Sequence, residues 1–377
     1  MNLPATMTGQ LWTALDAAAR FDPTVRLERR AFPRMLRRFV PAMPYTSAAL
    51  FGRMLAGEPS ILAGFPIPLR GRLRALRPPE AGHALIDWLA TRRSRTTHRI
   101  YTGPTGMRRE LTLRDIALKW RANRARFGVT DLYIRGTLME DVIAPDALSR
   151  FNLLPHSSPG AREQEMFSFV ISSRGHVTDS HSDDPDSSNF CFTGRKLWLA
   201  WDTYEGMKRG LQDVERVPVH TKAHFDMDAW LSLRSARWFL VGPGETLFLP
   251  AHMTHKVVTL ERYIGVGGFF IALPNCLRLL AHWIVRGPLW SKQDSTGYRD
   301  GLLGEIAQSA RETVLHLRGA SAAERAQWGY DYLDRSAETF IQTCPATRLR
   351  MLWSDPRFRL VADAIRVPWP LRPGVRP

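Results

Sequence analysis

Between Met166 and Ala272 the sequence breaks into short runs, apolar throughout or alternating, each closed by Gly, Pro or Asp. The runs are Met166–Ser172, Phe190–Phe192, Leu197–Trp201, Thr246–Leu249, Lys256–Leu260 and Tyr263–Ala272. None is long enough for a helical repeat, and β-branched and aromatic residues fill them, so they read as strands. Many short strands separated by tight turns predict a sandwich or a double-stranded barrel. Asp131–Leu138 (DLYIRGTL) reads as a further strand leading in.

Helical patterns flank this core. Met7–Arg20 reads as a helix that stops before Asp22-Pro23, and Leu113–Arg126 as a second. Pro145 to Phe151 opens a short helix, with Asp146 in its first turn. After Pro274, Asn275–Val285 is amphipathic. In Leu302–Leu317, Leu303, Ile306, Ala310, Val314 and Leu317 form one apolar stripe, and Gly319 lies just past the end. Ser321 with Glu324 is a capping-box signature for the next helix. Pro368 to Pro377 reads as a tail. The division expected is a basic, mainly helical region over 1–110, a barrel over 111–275, and a C-terminal helical region over 276–377.

Charge is the conspicuous feature of the composition: 52 basic against 36 acidic residues, a formal +16. Residues 1–110 hold 18 of the basic and 7 of the acidic residues, so the surplus lies mostly there. Six arginines fall in Arg26–Arg38, and Arg72, Arg74 and Arg77 follow in Gly71–Pro79. Such runs serve as a solvated face or as a docking surface for an acidic partner. Aromatic residues are not interleaved at stacking intervals, which disfavours a single-strand nucleic-acid groove. Cys191, Cys276 and Cys344 are too few and too scattered for a disulfide framework or a CxxC zinc module. With no signal-peptide pattern at the N-terminus and no apolar run of membrane length, the expectation is a cytoplasmic chain that makes no membrane contact. The C-terminal helices are the expected surface for a homodimer.

The chemistry is concentrated in Ser172–Trp198 (SSRGHVTDSHSDDPDSSNFCFTGRKLW). His181-x-Asp183 puts an imidazole and a carboxylate two residues apart, on one face of a strand. A second imidazole comes 74 residues on, in GETLFLPAHMTH, where spacing alone leaves His252 and His255 open. Two histidines and one carboxylate on one side of a metal form the facial triad of non-haem Fe(II) oxygenases, with open positions for a cosubstrate and dioxygen. His176 reads as a loop residue or a neighbour of the ligands. Asp184 and Asp186 read with Asp183 as an acidic cluster, solvated or facing substrate. Tyr133 reads as lining the pocket.

Three segments in order resemble the Jumonji-C (JmjC) branch of the Fe(II)- and 2-oxoglutarate-dependent oxygenases, closest to the subgroup of the PHD-finger lysine demethylases. They are Thr178-Asp179-Ser180-His181-Ser182-Asp183, Gly194-Arg195-Lys196, and Gly244-Glu245-Thr246-Leu247-Phe248-Leu249-Pro250 with His255 and then Gly267-Gly268. The resemblance covers roughly Asp131 to Leu280. It implies an α+β fold built on a double-stranded β-helix of cupin type, flanked by N-terminal and C-terminal helices. It implies His181, Asp183 and His255 as Fe(II) ligands, choosing His255 over His252 by its distance from Pro250. Lys196 would pair with the distal carboxylate of 2-oxoglutarate, and Thr178 would hydrogen-bond to it. The implied reaction uses O2 and 2-oxoglutarate to hydroxylate a C–H bond, releasing succinate and carbon dioxide. An N-methyl substrate would be demethylated.

Three positions depart from the family pattern. Cys191 stands where a tyrosine is common, Phe269 where asparagine often follows the glycines, and His252-Met253-Thr254 where Gly-Trp-aromatic is usual. Only six of the 52 basic residues are lysines, so Lys196 is not explained by a coding preference for arginine. Three cysteines cannot build a chromatin-reading zinc module. The expected substrate is therefore a small molecule or a protein or RNA side group. The rival readings are a non-catalytic cupin-like binding protein and a cupin metalloenzyme that does not use 2-oxoglutarate.

Overall fold

The computed structural model describes residues 4–93, 95–102, 107–144, 151–153, 167–183, 185–212, 224–251, 253–286 and 296–366. The predicted start of a helix at Pro145, the alternative ligand His252, Asp184 and the tail from Pro368 lie outside these residues.

The strands are β1 (Met43–Pro44), β2 (Ser60–Ala63), β3 (Thr97–Thr102), β4 (Met107–Thr112), β5 (Phe127–Tyr133), β6 (Ser168–Ser172), β7 (Val177–Ser182), β8 (Asp186–Thr193), β9 (Lys196–Asp202), β10 (Arg237–Val241), β11 (Glu245–Leu249), β12 (Met253–Thr259) and β13 (Tyr263–Phe270). They form two sheets in an α+β chain. The larger runs β1-β2-β11-β8-β13-β6-β5-β3-β4, and the smaller runs β10-β9-β12-β7. All described pairings between them are antiparallel except β1 with β2. From β6 onward the chain passes back and forth between the sheets, and only β9 and β10 follow one another within one sheet.

The alternation of side chains along each strand sorts the core into layers. Trp198, Ala200, Phe239, Val257 and Met253 of the smaller sheet pack on Val170, Cys191, Leu247, Leu249 and Tyr263 of the larger. On the outer face of the smaller sheet, Leu197, Leu199, Trp201, Trp238 and Val258 are covered by the helix Ala5–Phe21 through Leu11, Leu15 and Ala18. On the outer face of the larger sheet, Phe190, Phe192, Ile264 and Val266 are covered by Pro78–Ala90 and Leu113–Ala122. The C-terminal helices Cys276–Arg286, Thr296–Leu317, Leu333–Thr343, Ala346–Ser354 and Pro356–Ile365 share a separate core that reaches Ala251, Ile271 and Leu273 at one end of the sheets. No helix among the described residues is long and apolar enough to cross a membrane.

Local sequence explains several boundaries. The helix predicted to Arg126 ends at Ala122, because Asn123 takes the left-handed conformation (φ 48°) and closes it. The strand predicted over Asp131–Leu138 lies earlier, at Phe127–Tyr133, and Leu138 begins a 3-10 turn. The buried stripe Leu303, Ile306, Ala310, Val314 and Leu317 lies on the helix Thr296–Leu317, and the Ser321 side chain accepts from the Glu324 backbone N–H at the next helix. Although residues 1–110 read as mainly helical, β1, β2, β3 and the first part of β4 come from them and widen the larger sheet at both edges.

Candidate metal centre

β7 and β12 are neighbours in the smaller sheet, and their register sets His181 directly opposite His255. The two rings lie 4.1 Å apart, centroid to centroid. Asp183 follows the end of β7, and its Oδ2 is 3.9 Å from His255 Nε2. One donor atom from each of the three lies within 4.8 Å of the others, so these residues could hold a metal ion.

Each ring is oriented by a backbone carbonyl. His181 Nδ1 lies 2.8 Å from the Asp179 carbonyl oxygen, and His255 Nδ1 lies 3.3 Å from that of Met253. A carbonyl accepts only, so each Nδ1 carries the proton and each Nε2 keeps its lone pair for a cation. Burial, reinforced by the neighbouring His181, holds His255 down at about 4, so it is neutral near pH 7. The Trp198 indole lies against the His255 ring at 5.3 Å.

An irregularity in β7 lets this strand serve the site. His181 opposes His255 while Thr178 opposes Val257, so three steps on β7 match two on β12. In a regular strand residues three apart face opposite ways; the extra residue, a bulge, turns both His181 and Thr178 to the inner face. Lys196 opposes Thr259, which is two residues from Val257, and so shares that face with Thr178 and His255. The ligands and both residues expected to meet the cosubstrate therefore line one side of the sheet.

Lys196 is 3% exposed, and no carboxylate pairs with it among the described residues. Its Nζ sits 4.2 Å from the centre of the Tyr263 ring. Burial pulls its pKa from the ordinary lysine value down to about 7. Sequence reasoning missed Tyr263. Its hydroxyl donates to Asn189 Oδ1, and its ring lies over Gly265, where an added Cβ would come 2.7 Å from the ring. The alternating glycines Gly265 and Gly267 that follow it were the available signal: small residues leave room for a ring lying along the strand. Cys191, opposite Gly265, is fully buried beside this tyrosine.

One other expectation changes. Asp186 is neither solvated nor facing substrate. It is 1% exposed and accepts from Ala251 N (3.0 Å), Asn275 Nδ2 (2.6 Å) and Ala272 N (3.3 Å). It thereby ties the start of β8 to the β11–β12 turn and to the end of β13, and burial raises its pKa to about 6. His176, read as a loop residue, does lie in the β6–β7 turn, buried with its ring on Gly128, where an added Cβ would come 2.2 Å from Nε2. Tyr133, at the end of β5, is 43% exposed.

No protein-family model matches the chain, and no curated protein matches it in sequence.

Proposed function

We propose that this chain is an Fe(II)- and 2-oxoglutarate-dependent oxygenase of Jumonji-C type, with β6–β13 as its double-stranded β-helix. The observation that carries the reading is the convergence of His181, Asp183 and His255 on the face that also bears a buried lysine with no carboxylate partner among the described residues. The strand order supports the fold assignment, since β6-β13-β8-β11 and β7-β12-β9-β10 are the two four-stranded halves such a barrel needs.

The donor set suits the metal. Two neutral imidazoles and a carboxylate are hard-to-borderline ligands that leave half of an octahedral shell open. Iron with 2-oxoglutarate supplies oxidation of a C–H bond by dioxygen. The protein's share is to hold and to exclude. His181 and His255 present Nε2 because their Nδ1 protons are engaged. Lys196 meets a carboxylate in a dry interior, where a paired cation offsets the cost of desolvating the anion. Thr178, and Tyr263 beside Lys196, offer hydroxyls on the same lining, and Trp198 walls His255 from water.

The test is anaerobic addition of Fe(II) and 2-oxoglutarate. A visible charge-transfer band is expected, then stoichiometric succinate once oxygen is admitted, and His181→Ala should give neither. Absence of both from the unaltered protein would sink the reading. Metal binding without any response to 2-oxoglutarate would favour a cupin metalloenzyme of another kind. Substrate identity would follow from product masses after incubation with small molecules and with protein or RNA bearing candidate side groups.

A further inference from the structure

Behind the metal centre, on the opposite face of the sheet, lies a buried ion cluster that the chemistry described so far does not use. Lys256 follows the ligand His255 on β12 and therefore points outward, toward the N-terminal helix. It is 4% exposed. Its Nζ donates to Asp179 Oδ1 at 2.8 Å and pairs with Asp22 Oδ2 at 2.9 Å. Asp22 closes the helix Ala5–Phe21 and is itself buried, with its other oxygen held by Thr24 N and Oγ1. Asp179 sits in the irregular part of β7, where its Oδ1 also accepts from Ser180 N at 2.9 Å. The carbonyl of the same Asp179 orients His181.

We infer that Lys256 is a positioning residue of the metal centre: by clamping Asp179 to Asp22 it fixes the β7 bulge, and the bulge fixes His181. The inference rests on the metal-site reading above. Its physical basis is the cost of a buried lysine. Desolvating an ammonium is costly unless carboxylates compensate it, and for Lys256 the two carboxylates come from the bulge and from the first helix. Releasing Lys256 removes the ion pair that ties the Asp179 carboxylate to the first helix through Asp22. The Asp179 carbonyl moves with its residue, and the His181 ring loses its orienting acceptor. Residues that orient metal-bound histidines typically set affinity by about 10- to 100-fold.

The experiment measures Co(II) binding and the visible Co(II) spectrum of the full chain, for the wild type, Lys256→Met and His181→Ala, with the metal-free melting temperature recorded for each. The inference expects Lys256→Met to stay folded, to bind Co(II) about tenfold or more weakly, and to give an altered spectrum. A purely structural lysine would lower the melting temperature and leave the spectrum and affinity unchanged, and that result overturns the inference while sparing the metal reading. Where Lys256→Met alone does not fold, Lys256→Met/Asp22→Asn decides, because it removes the stranded buried charge and still leaves Asp179 unclamped. If wild type binds no Co(II), or His181→Ala binds it equally well, the metal reading itself fails and takes the inference with it.

Discussion

The Lys196 amine is kept from water, with an aromatic ring as its close neighbour and no carboxylate paired with it among the described residues. Its pKa of about 7 makes it a pH reporter. In the unfolded chain a lysine keeps its proton to about pH 10.4, so between about 7 and 10 the unfolded state binds more protons than the folded one. Stability must then rise with pH across that window as the burial penalty is relieved, while below it the penalty is full and this group contributes no pH slope. Urea midpoints at pH 7 and pH 9.5 should differ in this sense for the wild type, and Lys196→Met should lose that slope. A bound dicarboxylate would restore the charge, so 2-oxoglutarate binding above pH 7 should take up a proton, visible as a calorimetric heat that depends on the buffer. Lys196→Met should also abolish that binding while leaving Co(II) affinity within about twofold, since the lysine orients no ligand. At this scale the sequence was informative where residue type and spacing coincide: His181 and Asp183 stood out as an HxD pair, whereas His255 over His252 and the role given to Lys196 came from the family resemblance. Tyr263 and Lys256 did not stand out, because nothing in a linear pattern tells which side of a sheet faces the other sheet and which faces a helix.

The strands themselves were legible in proportion to how deeply they are buried. β9, β11, β12 and β13 are apolar enough to read directly, whereas β7 (VTDSHS) has the composition of a loop. It is a strand because β12 supplies its hydrogen-bond partners, and its polar residues form the bulge, the ion pair with Lys256 and one side of the candidate metal site. β10 escaped notice as well; although apolar, it follows a long connection from β9 with no turn signal close before it. The turns are more exacting than the strands. Gly194 joins β8 to β9 at φ +86°, and a Cβ there would meet the Arg262 carbonyl oxygen at 2.1 Å. Gly194→Ala should cost about 2 kcal/mol or more, read from denaturant midpoints, and should weaken 2-oxoglutarate binding, because the displaced turn carries Lys196.

At the scale of the whole molecule, the basic N-terminal third is part of the architecture. Its first helix covers the smaller sheet, Met35 accepts from Trp238 Nε1 at 2.8 Å, and Phe39 bridges to Trp238 on β10. A chain beginning at Pro41 should expose Leu197, Leu199, Trp201 and Trp238 together and shift to large aggregates on size exclusion. A charge count says nothing of this: the same segment that carries arginines outward carries Leu11, Leu15 and Met35 inward. The smaller sheet is thus closed on the β10 side by the N-terminal segment, but β7 forms its other edge, with β12 as its one pairing neighbour among the described residues. A metal shared by His181 and His255 would be a rivet through that last seam. Loading and edge protection become one event, so amide exchange along Val177–Ser182 should slow on Co(II) binding far more than along β9. In a metal-starved cell the molecules that cannot react would also be those showing an unsealed strand, and the fold would mark its own inactive copies for chaperones and proteases.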